Sequence, residues 1–252
     1  MTDFLLGLIG FGVIFLSAVL MGVFTALRRK SPPAFREIPA FTRLRQAIGR
    51  VVEDGTRLHV SLGRGALITP QSASAMAGLT LLRRLAELTS AGDQPPIATS
   101  GDAALAILSQ DTLKTASHAS AQGVYDPAAG RLTGLTPFSY AAGALPAIRD
   151  EKISANVFMG NFGAEAALLA EAAERENTFT LAASDNLAAQ AVLYASVQEP
   201  LIGEELYAAG AYMGAGPLHT ASLRVQDILR WLIIVVILVG VLIQFLRAVG
   251  IL

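Results

Sequence analysis

The chain contains no cysteine, which rules out disulfides, thiolate metal sites and a cysteine nucleophile. It is also poor in charge: 15% of its 252 residues are charged, and the formal net charge is −1. Nucleic-acid binders usually concentrate a basic face, so no nucleic-acid partner is expected. The three histidines, His59, His118 and His219, show no HExxH spacing, and no metal site is expected from them. No P-loop, no G-x-G-x-x-G turn and no G-x-S-x-G elbow occurs. Ser184-Asp185-Asn186 spells one motif of penicillin-recognising serine enzymes, but the companion Ser-x-x-Lys is missing. There is no fixed-period repeat and no low-complexity tract.

What the chain has in excess is apolar residues, 53% of the total, with the surplus at its two ends. From Phe4 to Leu27 no charge interrupts the run, and Arg28-Arg29-Lys30 closes it. About 20 apolar residues cross a bilayer. A cleaved signal peptide is the rival reading, but it would carry its cations before the apolar run and a small-residue cleavage site after it. Here the order is reversed. The cation cluster places the following residues in the cytoplasm and the N-terminus outside. A second membrane helix is expected from about Ile228 to Leu246, opened by Trp231 as an interfacial aromatic. Both termini then lie outside, on a two-pass protein of the cell membrane. The expected layout is a transmembrane helix at 4–27, a cytoplasmic domain at 31–227 and a transmembrane helix at 228–247.

Ala18, Gly22 and Ala26 repeat at four-residue spacing, a small-residue stripe that lets another helix approach closely. Small residues are common in membrane helices without that role. On the second helix Gly240, Gln244 and Arg247 share a face, and the Gln244 amide is costly against lipid unless it meets a partner or the headgroups. The lipid bilayer is therefore one partner, and a homo-oligomer or other membrane proteins are the others expected.

Between the anchors, Ser31-Pro32-Pro33 cannot continue a helix. Phe41, Leu44, Ile48 and Val52 then recur at helical spacing, with Arg43, Arg45 and Arg50 between them. This reads as an amphipathic helix near an anionic leaflet. Next, short apolar runs alternate with helical stretches. Strands are expected at 58–62, 96–99, 130–135, 153–159 and 178–183. Helices are expected between them, with Thr69-Pro70 opening the first, Asp102 capping the second and Pro137 opening the third. Met76, Leu79, Leu82 and Leu85 form the first helix's expected buried stripe. A last helix is expected from Pro200 to Gly214. Strands of about five residues alternating with helices imply right-handed crossovers, hence an α/β fold with a mainly parallel sheet and helices on both faces.

Parallel α/β sheets take ligands outside the carboxyl ends of their strands. Three such turns stand out as candidate ligand-binding segments. Gly63, Arg64 and Gly65 offer permissive backbone and a guanidinium. Ser100 lies in Thr99-Ser100-Gly101-Asp102. Gly160 and Gly163 lead into a helix whose free N–H groups suit an anion, with Glu165 beside them. Glycines that merely permit tight βα turns account for the same pattern. Glu204 and Glu205 are alternative carboxylates, although a helix dipole alone favours a carboxylate in a first turn by ~0.3–1 kcal/mol.

The chain resembles an uncharacterised prokaryotic family of membrane-anchored proteins, a domain of unknown function. The resemblance rests on Leu62-Gly63-Arg64-Gly65, on the helix from Ser72 to Leu79 and on Gly160-Asn161-Phe162-Gly163-Ala164-Glu165. The stretch from Leu201-Ile202-Gly203-Glu204-Glu205 to Tyr212 is its most specific part. The likeness covers Phe41 to Leu229. It implies a cytoplasmic α/β domain between two terminal membrane helices, and it brings no assigned activity or cofactor. The leading expectation is a non-enzymatic, membrane-tethered module that self-assembles or docks partners. The alternative is a ligand-binding or hydrolytic domain acting on a small anionic molecule.

Overall fold

The computed structural model describes residues 2–28, 35–69, 72–119 and 125–249. Arg29, Lys30, the Ser31-Pro32-Pro33 linker and Pro70 lie outside them. The chain divides into two compact units, Met1–Phe35 with Gly216–Leu252, and Arg36–Ala215.

The first unit holds two helices, α1 (Thr2–Arg28) and α9 (Pro217–Ala248), which pack against each other. Both contain stretches long and apolar enough to cross a membrane. Their hydroxyls follow the same logic. Ser17 donates to the carbonyl of Val13 and Thr25 to that of Met21, each at 2.7 Å, so neither polar group is left bare. A methyl group added at Gly22 would meet nothing within 4 Å, nor would one at Gly240. The α1–α9 contact within one chain therefore leaves both glycines open. Helix α9 begins at Pro217 rather than near Ile228, because Pro217 suits a first helical position and nothing breaks the helix before Ala248. His219 consequently sits inside the helix.

The second unit is an α/β layer structure. Its helices are α2 (Pro39–Glu53), α3 (Ser72–Thr89), α4 (Ala103–Ala119), α5 (Pro137–Asp150), α6 (Ala166–Arg175), α7 (Leu187–Ser196) and α8 (Glu205–Tyr212). Its strands are β1 (Arg57–Gly63), β2 (Ile97–Ser100), β3 (Gly130–Leu132), β4 (Ile153–Asn161), β5 (Phe179–Ser184) and β6 (Glu199–Leu201). All pairings are parallel, in the order β3-β2-β1-β4-β5-β6. Right-handed crossovers then put α3 and α4 on one face and α5, α6 and α7 on the other. Leu58, Val60, Leu62, Val157 and Met159 point to the first face, where α2, α3 and α8 complete the larger core. Phe158, Phe162 and Ala182 point to the second, against Tyr140, Leu169 and Leu193.

The parallel α/β reading holds, with local corrections. The segment from Pro200 is not helical at its start: Glu199–Leu201 is a sixth strand, and the helix begins at Glu205. β3 stops at Leu132 rather than Leu135. Met76 is exposed, and the buried face of α3 is instead Ala75, Gly78, Leu79, Leu82 and Leu85. A small residue is needed there because a methyl at Gly78 would come within 2.5 Å of the Met159 carbonyl oxygen. Thr69 turns its hydroxyl to the Ala66 carbonyl at 2.8 Å, and α3 starts only at Ser72.

Candidate functional site

The strand order runs outward in opposite directions from β1 and β4, so the connection reverses between them. Such a switch point is where open α/β sheets form a crevice at the carboxyl ends of their strands. Here it is flanked by the turns after β1, β2 and β4.

These turns meet and are laced together. The Arg64 amide donates to the Asn161 carbonyl at 2.8 Å, and the Gly101 amide to the Gly63 carbonyl at 2.8 Å. The Thr133 amide, after β3, donates to the Ser100 carbonyl at 3.0 Å. Gly63 has φ +69°, a left-handed conformation that favours glycine, and a side chain there would run into the Asn161 carbonyl. Gly160 faces the Leu62 carbonyl just as closely.

Into this junction Arg64 extends across Gly101 and places its Nε 3.1 Å from Glu165 Oε1. The same carboxylate oxygen accepts the Gly163 N–H at 3.0 Å. Glu165 is the residue just before α6 and is 3% exposed. Burial alone would raise its pKa, but the Gly163 N–H, its own N–H and Arg64 outweigh burial and hold it below the usual value. The carboxylate thus fills the turn ahead of α6 rather than capping the helix: the Ala166, Ala167 and Leu168 amides, expected to be free for an anion, go to the carbonyls of Gly163, Ala164 and Glu165.

Of the sequence candidates, Gly63, Arg64, Gly160, Gly163 and Glu165 come together at the switch point. Gly65 is buried in the same turn. Ser100 lies in the neighbouring turn, but its hydroxyl reaches the carbonyls of Asp102 and Arg131, at 3.3 and 3.4 Å, rather than the ion pair. Glu204 and Glu205 follow β6, two strands from β4, or roughly 10 Å at the usual strand spacing. Glu205 pairs with Arg36 at 2.6 Å. These two carboxylates do not share a site with Glu165.

Beneath the junction runs a polar chain that the sequence reading missed. His59 Nδ1 lies 2.9 Å from Asn156 Oδ1, and Nε2 lies 2.9 Å from Thr99 Oγ1. Asn156 Nδ2 donates to Thr178 at 2.7 Å, and Thr178 to the Ala173 carbonyl at 2.9 Å. That direction makes His59 a donor at Nδ1 and an acceptor at Nε2. Tyr140 bonds Ser61 and Thr99 and accepts the Gly63 N–H at 3.2 Å, which ties the chain to the switch-point turn. It is delivered there by α5, whose start is fixed by a capping box between Thr136 and Ser139. Burial lowers the His59 pKa to about 4, with Asn156 opposing and Arg131 assisting, so the ring is neutral at physiological pH. Burial likewise raises that of Tyr140. The signal was period-two polarity, His59 and Ser61 alternating with Leu58, Val60 and Leu62 in a fully covered strand.

No group of three metal-ligating side chains occurs among the described residues. Ser184 and Asn186 serve α7: the Asn186 side chain accepts from the Ala188 and Ala189 amides, and Ser184 Oγ accepts from the Asn186 amide.

A parallel six-stranded α/β unit with a closed switch point, joined to two apolar terminal helices, defines the class of protein. More particularly, the chain belongs to the family described as Domain of unknown function (DUF6754), whose model matches residues 5–251. Comparison with curated proteins and with solved structures gave no match.

Proposed function

We propose that the protein is a membrane-tethered, non-enzymatic α/β module that docks partners or further copies of itself. In this reading α1 and the part of α9 from Ile228 span the membrane, residues 31–227 form the cytoplasmic part and both termini lie outside, as the cation cluster after Leu27 implies. The observation that carries the docking reading is the Arg64–Glu165 pair. The crevice that α/β enzymes open to a ligand is bridged here by the chain's own carboxylate and guanidinium.

The second reading, a site for a small anion, is favoured by one fact. Arg64 and the Gly163 N–H converge on a single point, and an anion that displaced the Glu165 carboxylate would find both donors already placed. The two readings separate in a paired melting experiment on the detergent-solubilised chain and its Glu165→Gln variant, with inorganic phosphate and nucleotides as probes. Docking predicts no ligand-dependent shift in either protein. It also predicts a loss of roughly 1–2 kcal/mol in the variant from the weakened charged hydrogen bonds. A phosphate-dependent rise in melting temperature that Glu165→Gln alters would replace docking with the anion site.

A further inference from the structure

The carboxyl end of the sheet carries large apolar side chains that the described residues of the α/β unit leave exposed. Leu135 and Phe138 flank the start of α5, Leu168 sits on the first turn of α6, Leu187 opens α7, and Ile202 follows β6. Phe138 is 71% exposed and Leu187 81%. Single exposed apolar residues need no explanation, but these stand at or beside the starts of successive packed helices. Helix α5 packs on α6 and α6 on α7, and Gln190 of α7 accepts the Gly203 amide at 3.1 Å, which joins the Ile202 turn to the row. With helices 8–10 Å apart, the row spans about 20 Å from Phe138 to Leu187.

The charge beside the row has one sign. Asp102, Asp185, Glu204 and Glu205 lie in the βα turns at this end, and the turns contain no lysine. Among the described residues the arginines at this end, Arg36 and Arg64, are engaged by Glu205 and Glu165. Asp185 is half-buried and accepts from the Asn161 side-chain amide at 2.7 Å, and among the described residues no ion pair to it occurs.

We propose that this ridge docks a basic amphipathic helix of a partner protein. About 14 residues of helix cover 20 Å, enough for three apolar contacts at i, i+7 and i+14 against Phe138, Leu168 and Leu187. Lysines or arginines beside that stripe meet Asp102 and Asp185. Charge selects this occupant over two others. An anionic bilayer surface repels the carboxylates, and a second copy meeting the ridge through its own ridge sets Asp185 against Asp185. The assignment rests on the docking reading and names its surface.

The test uses the full chain in phosphatidylcholine nanodiscs and two labelled 18-residue helical peptides with identical leucine stripes, one flanked by lysine and one by glutamate. Fluorescence anisotropy should show the lysine peptide binding at least tenfold more tightly, with affinity falling as salt rises. Phe138→Gln combined with Leu187→Gln should weaken it at least tenfold, whereas Tyr194→Gln, equally exposed but late in α7, should not change it. Melting temperatures of the variants guard against misfolding, and Asp185→Asn, which removes charge but no apolar contact, gives an independent loss of salt dependence. Equal binding of both peptides, or binding indifferent to the ridge variants, overturns the proposal. So does maleimide protection of Leu187→Cys without peptide, by lipid if it appears only in nanodiscs and by a second copy if it grows with protein concentration. A phosphate shift that depends on Glu165 would overturn docking as a function yet leave these peptide outcomes readable, so the two failures are distinguishable.

Discussion

His59 shows how a single residue can organise a sheet. Its two nitrogens are matched to Asn156 and Thr99, and its proton is placed by the direction of the Asn156–Thr178 bond. Because burial lowers its pKa to about 4, the folded chain refuses a proton that the unfolded chain, near 6.5, accepts. The stability held by neutral His59 is therefore complete above pH 6.5 and is lost as pH falls toward 4. The loss amounts to about 3 kcal/mol at 1.36 kcal/mol per pKa unit. Melting of wild type and His59→Gln between pH 7.5 and 4.5 tests this. Wild type should lose stability steadily below pH 6.5, and the variant should lose the slope in that window while starting lower. Equal slopes would mean that His59 does not titrate in this way. In the sequence His59 looked partnerless, since Asn156 lies 97 residues away and only strand pairing brings the two together.

At the scale of elements, the sequence displayed what repeats and hid what is singular. Five strands and the helices between them followed from apolar runs and caps, and Asp102 does cap α4, accepting the Leu105 amide at 2.9 Å. Strand β6 escaped because a proline ahead of a polar turn carries the same signature as a helix start, and three edge residues leave no periodicity to weigh against it. Met76 misled because spacing identifies a stripe of large residues, whereas close approach to the sheet selects small ones. The switch-point turns were legible as glycine-rich, yet the Arg64–Glu165 contact depends on how β1 and β4 lie side by side. Two glycines test the packing argument in opposite directions. Gly78→Ala should destabilise by about 1–3 kcal/mol, because the methyl meets the Met159 carbonyl. Gly49→Ala, in the middle of α2 with open space around it, should stabilise by roughly 0.5–1 kcal/mol. Melting temperatures that move in the same direction would contradict this account.

For the whole molecule, the proposed topology and assembly can be read together. A cysteine at Thr2 should react with an impermeant maleimide in intact cells, and one at Asp93 should not; labelling at Asp93 would reverse the orientation. Light scattering of the solubilised chain should give a mass above that of one chain, and Gly22→Ile should lower it. Gly22 is open to a neighbour because α9 of the same chain leaves it uncovered. A monomeric wild type would remove the assembly half of the reading.

The sheet's margins constrain what such an assembly can be. β3 and β6 each offer only three residues, and the middle one of β6 is Pro200, which has no amide hydrogen to give. Such edges disfavour the grafting of a second sheet, so the proposed assembly would run through side chains. If copies do assemble when crowded in two dimensions, a point substitution in a contacting side chain should disperse them, as it would not disperse a ribbon of shared β-structure.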